Sequence, residues 1–352
     1  MGPSSSRSTP TARVIVVGAS GYSGGVLARL VAFHPHLVLV GATSDARAGK
    51  NVGHELGFTS DVLFSKNAEA ERAAEGCDVV FLATPAEVSA ELGPKLLQSG
   101  RTVVDLSGAF RLATGDDVRA HYKFSHPNES RLGSTPYGLP ELFGAPQKGD
   151  LVANPGCYPT PTLLGLGPLV KAGLVSGAGI VVDAKSGTTG AGRQAKEEHS
   201  YAEVSENFRA YKLLSHQHEP EIAQKLAAYS GKDVAGLVFT PHLLPVRRGL
   251  LTTCYARPSA NVTARDLEAC LRDTYAGAVF VEVVAPEEVT LASVVGTNMC
   301  RLGVVSRGDM AIVVGAIDNL VKGAAGQALQ NVNLALGFDE GCGLSGLHRS
   351  AA

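Results

Sequence analysis

Arg13-Val14-Ile15-Val16-Val17-Gly18-Ala19-Ser20-Gly21-Tyr22-Ser23-Gly24-Gly25 decides how the first half of this chain reads. Its opening run is short and rich in β-branched residues, suited to a strand buried on both faces. The run enters a glycine turn, and Val26-Leu27-Ala28-Arg29-Leu30-Val31 follows with helical spacing. Strand, glycine turn and helix in this order make a phosphate site. The glycines let backbone approach a pyrophosphate, which then rests on the unpaired N–H groups of the helix start. The spacing is GxxGxxG, a variant of the GxGxxG fingerprint, and it sets Gly18, Ser20, Gly21, Tyr22, Ser23 and Gly24 against a dinucleotide. A glycine triplet alone is weak evidence; following a strand so early in the chain gives it weight against an incidental turn.

Further strands follow at βαβ spacing. Leu37-Val38-Leu39-Val40-Gly41-Ala42 ends in Thr43-Ser44-Asp45-Ala46-Arg47. An acidic side chain here would suit the ribose diol of NAD. Ser44 and Arg47 better suit a 2′-phosphate, so NADP is the expected cofactor, although Asp45 blurs the signal. Asp78–Ala83 leads into Thr84 and Pro85, which would flank the nicotinamide end of the cofactor. Thr102–Leu106 leads into Ser107-Gly108-Ala109-Phe110-Arg111. Arg111, just past a strand end that opens on the ligand crevice, is a candidate anion ligand; the rival reading is a solvated surface arginine.

The second half turns on Asn154-Pro155-Gly156-Cys157-Tyr158-Pro159-Thr160. It sets one thiol at a Gly/Pro-framed turn before a helical pattern over Thr162–Ala172. Unpaired N–H groups and the positive end of a helix dipole there would favour thiolate and lower the thiol pKa. A buried structural cysteine is the bland alternative. Ile180–Lys185 reads as a strand running into Ser186-Gly187-Thr188-Thr189-Gly190-Ala191-Gly192-Arg193, either a backbone nest for phosphate or cofactor or a plain flexible loop. Next come His216 and His218, on one face of an extended approach, with Pro220 in the first turn of the following helix. Two histidines and a glutamate resemble a metal site, but no third His or Cys lies nearby. General acid/base service to Cys157, with Glu221 orienting an imidazole, is the more economical assignment, and no metal is expected. Phe239–Thr253 reads as a turn leading into a strand, where Arg247 and Arg248 either hold an acidic substrate or face solvent. Strands over Leu250–Ala256 and Ala311–Ala316 point to a mixed sheet. A last helical pattern, Asn319–Gln330, is expected to return to the nucleotide domain and touch the cofactor.

Composition narrows the classes. A chain of 352 residues with 45% hydrophobic content suits two domains. A net charge of -2 without a Lys/Arg run argues against nucleic acid and anionic membrane as partners. No apolar segment reaches the length of a membrane span. Residues 1–11 read as a disordered tail. Six scattered cysteines without CxxC pairing suit reduced thiols in a cytoplasm.

Taken in order, six segments resemble the N-acetyl-gamma-glutamyl-phosphate reductase family, the arginine-pathway relatives of aspartate-semialdehyde dehydrogenase. They are Gly18–Gly24, Asp105–Arg111, Asn154–Thr160, Ser186-Gly187 with Gly190–Arg193, His216–Glu221 and Asp318–Gln327. The Gly-His that typically supplies the base in aspartate-semialdehyde dehydrogenase is absent after Leu243-Leu244-Pro245-Val246-Arg247-Arg248-Gly249-Leu250. The resemblance implies an α/β fold with an N-terminal Rossmann-type domain (12–156 plus about 318–352) and an α+β catalytic and oligomerisation domain with a mixed sheet (157–317). It implies NADPH-dependent reduction of an acyl phosphate to a semialdehyde through a thioester on Cys157. His218, then His216, are the expected acid/base residues. Arg111, Ser107, Ser186 and Asn154 are the expected substrate ligands, with Ser186, Gly187, Gly190 and Asn319 on the cofactor. A small-molecule acyl phosphate and a homodimer or homotetramer are the expected partners. Rival readings are aspartyl phosphate, a carrier-linked aminoadipyl or glutamyl phosphate, or a dinucleotide sensor that lost catalysis.

Overall fold

A computed structural model describes residues 11–193 and 197–344, with only the backbone of His199. Residues 1–10 of the expected tail and 345–352 of the expected nucleotide domain lie outside the described residues.

Six strands come from the first half: β1 (Ala12–Val17), β2 (Leu37–Thr43), β3 (Phe64–Ser65), β4 (Val79–Leu82), β5 (Thr102–Asp105) and β6 (Leu151–Ala153). They pair in parallel in the order β3-β2-β1-β4-β5-β6, the doubly wound arrangement. Alternation along β1 shows why the apolar run works. Val14 and Val16 pack with Leu27, Ala28 and Val31 of the helix Tyr22–Ala32, while Ile15 and Val17 belong to the core on the opposite face. Strand order reverses between β1 and β4, so a crevice opens beyond their C-terminal ends. Gly18 stands at that edge with φ +83°, and a Cβ there would lie 2.4 Å from the Ala83 carbonyl oxygen. Only glycine permits both the backbone angle and the approach.

The second sheet holds β7 (Val181–Gly187), β8 (Arg209–Ala210), β9 (Val238–Leu244), β10 (Leu250–Ala256), β11 (Val281–Val283), β12 (Cys300–Arg307) and β13 (Met310–Ile317). Its order is β11-β12-β13-β10-β7-β9-β8, with β7/β9 and β11/β12 parallel and the other pairs antiparallel. This is the mixed sheet expected. The helix Pro159–Lys171 lies against it, its Leu163, Leu164 and Leu166 in one core with Val182, Ala184, Leu302 and Val313. That core is continuous with Val103, Phe110 and Leu139 of the first half, so the two sheets are bound by shared apolar burial.

Two expectations are corrected here. Phe239–Leu244, read as part of a turn, is strand β9 despite Pro241. The proline is tolerated because the neighbour on one side, β8, is a two-residue edge strand, and the Pro241 carbonyl still accepts from the Tyr211 N–H at 3.0 Å. Asn319–Gln330 is not one regular helix but a π-helical turn, Val321–Ala325, followed by the helix Gly326–Ala335. Ala325, Ala328, Leu329 and Val332 pack in the core of the first sheet, so the segment does return to the nucleotide fold. Among the described residues no helix is long and apolar enough to cross a membrane.

Candidate active site

The cysteine turn is held from two sides. β6 ends at Ala153, and Cys157 comes just before the helix Pro159–Lys171, whose prolines at the start cost no intrahelical hydrogen bond. A Cβ on Gly156 would sit 2.6 Å from His218 Nε2 and 3.0 Å from Glu221 Oε2. A Cβ on Gly323, in the π turn, would sit 2.8 Å from Cys157 Cβ. These contacts place Cys157 in the wall of a cleft of about 430 Å³, which is also lined by Gly21, Tyr22, Ser23, Gly24, Thr84, Arg111, Gly190, Arg193, His218 and Asn319. The thiol is half-buried.

Glu221 organises the wall behind it. This fully buried carboxylate accepts from the Tyr137 hydroxyl at 2.8 Å and from the Gly156 N–H at 2.9 Å, both at Oε1. Its Oε2 lies 3.6 Å from Arg111 Nη1 and 3.9 Å from His218 Nε2. The last distance is too long for a hydrogen bond, so Glu221 anchors the cysteine turn and Arg111, not the imidazole. Arg111 is buried: its Nε donates to the Asn154 carbonyl at 2.8 Å and its Nη2 to the Leu106 carbonyl at 2.7 Å. The solvated-arginine reading is thereby removed.

The two histidines differ. His216 is turned back on the chain, where its Nδ1 accepts the His218 N–H at 3.1 Å. Rings of Tyr158, Tyr211, Phe239 and His218 surround it at centroid distances of 4.8 to 5.8 Å. His218 alone of the pair lines the cleft. Burial, reinforced by His218 and Lys212, pushes His216 down to about 2; burial, then Arg111 and Lys212, holds His218 well below the ordinary histidine range. Both rings are neutral at pH 7, which leaves an unprotonated imidazole at His218 in the cleft, although burial and Arg111 oppose its charged form. The Cys157 thiol departs from expectation. Burial pushes it up to about 11, although Arg111 and the N–H groups of Tyr158 and Cys157 favour the thiolate. Desolvation outweighs the helix start because the protein packed around Cys157, with Gly323 against its Cβ, disfavours the charged form.

On the cofactor side, Gly21, Tyr22, Ser23, Gly24, Thr84, Gly190 and Asn319 line the cleft. The site fits a dinucleotide. The helix Tyr22–Ala32 begins at Gly21 with no side-chain cap, and a Cβ on Gly21 would meet only the Gly18 carbonyl oxygen at 3.6 Å, so backbone donors stand open. Asn319 bridges the halves, accepting from Gly249 N–H at 2.9 Å and donating to Thr189 Oγ1 at 3.0 Å.

Other expected ligands are not among the cleft-lining residues. Asn154 donates to the Ala324 carbonyl and accepts from Asn331, which makes it a fully buried brace. Ser107 gives its hydroxyl to Asp105 at 2.8 Å. Ser186 is buried beneath Gly190, and Gly187 packs against Arg247 and Arg248 backbone. Gly18 and Ser20 shape the turn from behind, and Pro85 caps the helix Ala86–Leu97. Ser44 is buried with an unpartnered hydroxyl, and Arg47 pairs with Glu55 at 3.2 Å. Arg247 and Arg248 line a groove along the helix Tyr22–Ala32 that adjoins the cleft, sharing Gly21, Tyr22, Thr189 and Arg193 with it, and Arg248 faces Asp318 at 3.6 Å.

Sequence reasoning passed over Tyr137, which fixes Glu221, and gave Arg193 no role of its own. Arg193 crosses from the second sheet to the Ser20 carbonyl at 3.2 Å and sits over the Tyr22 ring. Tyr137 lies in no motif and left no signal; Arg193 closes the Gly190-Ala191-Gly192 run and was visible there. Among the described residues no cluster of His, Cys, Asp or Glu is arranged to hold a metal.

Comparison with known proteins follows this division of the chain. Residues 13–148 match the family "Semialdehyde dehydrogenase, NAD binding domain", and residues 157–319 match "Semialdehyde dehydrogenase, dimerisation domain". In solved structures the fold is shared with aspartate semialdehyde dehydrogenase II of Vibrio cholerae, complexed with ASA (TM-score 0.68, 16% identity, 93% of this chain and 99% of that one). It is shared also with aspartate semialdehyde dehydrogenase with NADP from Candida albicans (TM-score 0.66, 16% identity, 92% and 98%). Sequence likeness is much closer elsewhere. The N-acetyl-gamma-glutamyl-phosphate reductase of Geotalea daltonii is 44% identical over 95% of this chain and 98% of its own. That of Magnetococcus marinus is 43% identical over 96% and 98%. Identity at that level over nearly the whole chain settles the kinship: the chain belongs to the N-acetyl-gamma-glutamyl-phosphate reductase family of semialdehyde dehydrogenases.

Proposed function

We propose that this chain reduces N-acetyl-gamma-glutamyl phosphate to N-acetylglutamate 5-semialdehyde and phosphate with NADPH, as a step of arginine biosynthesis. The carrying observation is that Cys157 and His218 share one cleft with an uncapped glycine turn built for a dinucleotide. The names of relatives at 40–44% identity support this substrate over aspartyl phosphate, since the solved aspartate enzymes share only 14–19%.

Cys157 acts as the nucleophile. Because the thiol is protonated at rest and His218 is neutral, proton transfer to His218 accompanies attack of sulfur on the acyl carbon. Arg111, whose charge faces the cleft beside Glu221, offsets the negative charge that grows on the acyl oxygens. The C–O bond to phosphate breaks with its electron pair, His218 passes its proton to the leaving phosphate, and a thioester remains. A bound nicotinamide dinucleotide supplies the hydride that reduces the thioester carbon. Collapse of the resulting Cys157 thiohemiacetal alkoxide expels Cys157 as thiolate and frees the aldehyde; the thiolate regains a proton from solvent by way of His218. His216 serves as a positioning residue that caps the His218 N–H.

We assign residues 12–156 with about 318–352 to cofactor binding and 157–317 to catalysis and assembly. The dimerisation-domain match supports a homodimer or homotetramer. Six free thiols support residence in the cytoplasm. The test is Cys157→Ser, run in the phosphorolysis direction and followed by NADPH formation. Turnover near that of the parent protein would sink the covalent mechanism; loss with cofactor binding retained is the expected result.

A further inference from the structure

Lys322 has no role in the mechanism above, yet it is fully buried. Its Nζ donates to Glu141 Oε1 at 2.5 Å and to Gln330 Oε1 at 2.7 Å. Gln330 in turn donates to Glu141 at 2.9 Å and Glu340 at 2.6 Å and accepts from Asn298 at 3.1 Å. Burial would raise the Glu141 carboxyl, but Lys322 and Gln330 outweigh it and hold it below the ordinary carboxylate range. A buried ion pair is weak as a source of stability, since two well-packed apolar side chains serve about as well. Its presence here calls for a geometric reason.

Both ends of the pair lead to Cys157. Lys322 sits in the π turn, next to Gly323, whose Cα side is pressed on Cys157, and two residues from Leu320 and Ala324 in the cleft wall. Glu141 ends the segment that carries Tyr137, whose hydroxyl holds Glu221 and through it the Gly156 N–H. That same segment is tied again where the Gly138 carbonyl accepts from Asn331 at 2.9 Å. The cysteine turn thus lies between two clamps, one from the π turn and one through Glu221. Lys322–Glu141 is the direct ionic link between them. A π turn is a rare insertion, found frequently at functional sites.

We propose that Lys322 and Glu141 are a positioning pair that fixes the separation of these clamps and so the placement of the Cys157 sulfur against acyl carbon and hydride donor. This rests on Cys157 being the nucleophile, and the test separates the two. Lys322→Met with Glu141→Leu removes the ion pair without leaving a lone buried charge. The thermal midpoint of the double variant should approach that of the parent protein, and the KM for NADPH should stay within about twofold. Its kcat should fall about tenfold to a hundredfold, as about 1 Å of misplacement costs in a reacting geometry. The rate of Cys157 alkylation by iodoacetamide should change at least severalfold. A double variant with unchanged kcat and alkylation rate would overturn the proposal, leaving Cys157→Ser to judge the covalent reading on its own. Should the double variant fail to fold, Lys322→Met with Glu141→Gln decides: it removes the ion pair, leaves no lone buried charge and keeps an acceptor for the Gln330 amide. Lowered kcat at unchanged NADPH KM, with the altered alkylation rate, supports the proposal; unchanged values of both refute it.

Discussion

Gly156→Ala tests the catalytic pairing through a single methyl group. A Cβ there would lie 2.6 Å from His218 Nε2, 2.8 Å from its Cδ2 and 3.0 Å from Glu221 Oε2. Ordinary contact begins near 3.4 Å, so the imidazole must retreat by about 0.8 Å or turn. It has little room to do so. The Tyr158 ring stands at 5.7 Å and the His216 ring at 4.8 Å, and the Glu221 carboxylate is held by Tyr137 and the Gly156 N–H itself. Overpacking of this kind costs about 1–3 kcal/mol of stability. The larger effect falls on rate: displacement approaching 1 Å in a reacting geometry costs about a hundredfold, within the 10²–10⁴-fold span of a general base. Steady-state assay in both directions should show kcat lowered about a hundredfold with NADPH KM little changed, because the glycine turn is untouched. A folded variant whose kcat stays within about threefold of the parent protein would refute the assignment of His218 as the base.

Two further outcomes are expected. Arg47→Ala should raise the KM for NADP by about tenfold to a hundredfold, the worth of one charge-assisted hydrogen bond, and that for NAD far less; equal rises in paired assays would remove the 2′-phosphate assignment, which requires Arg47 to exchange Glu55 for phosphate. Stability should fall in acid. His216 and His218 have folded pKa values depressed by burial, so their contribution is complete above the unfolded value near 6.5 and is lost as pH drops below it. Two protons taken up only on unfolding give a slope of about 2.7 kcal/mol per pH unit, and His34 and His126, also lowered chiefly by burial, act in the same direction. Denaturant unfolding compared between about pH 7.5 and 5.5 checks this, and a flat profile would contradict the buried neutral state.

Much of the site was legible because its signals are local. A β-branched strand entering GxxGxxG needs no distant partner to be recognised, and the Gly18 and Gly21 geometry is what that spacing implies. Cys157 before a proline-initiated helix, and two histidines at the start of another, are likewise read from neighbours in sequence. Residues expected to touch ligand but found as braces show the limit. Asn154 and Ser107 lie in motifs beside the cleft, yet their hydrogen-bonding groups are taken by Ala324, Asn331 and Asp105. Motif membership marks a place near the chemistry and does not distinguish a ligand from its support.

The sequence by itself determined the two-sheet α/β fold, the dinucleotide turn, the lone thiol and the pair of candidate bases, since each follows from periodicity, turn chemistry or spacing over a few residues. Tertiary structure alone decided what those groups are in place. It set His218 in the cleft and His216 behind it, because the rings of Tyr158, Tyr211 and Phe239 enclose His216. It tied Glu221 to the Gly156 N–H across 65 positions and left the imidazole at 3.9 Å. It also reversed the expected acidity of Cys157, since a helix start acts locally while desolvation is the sum of everything folded around the sulfur.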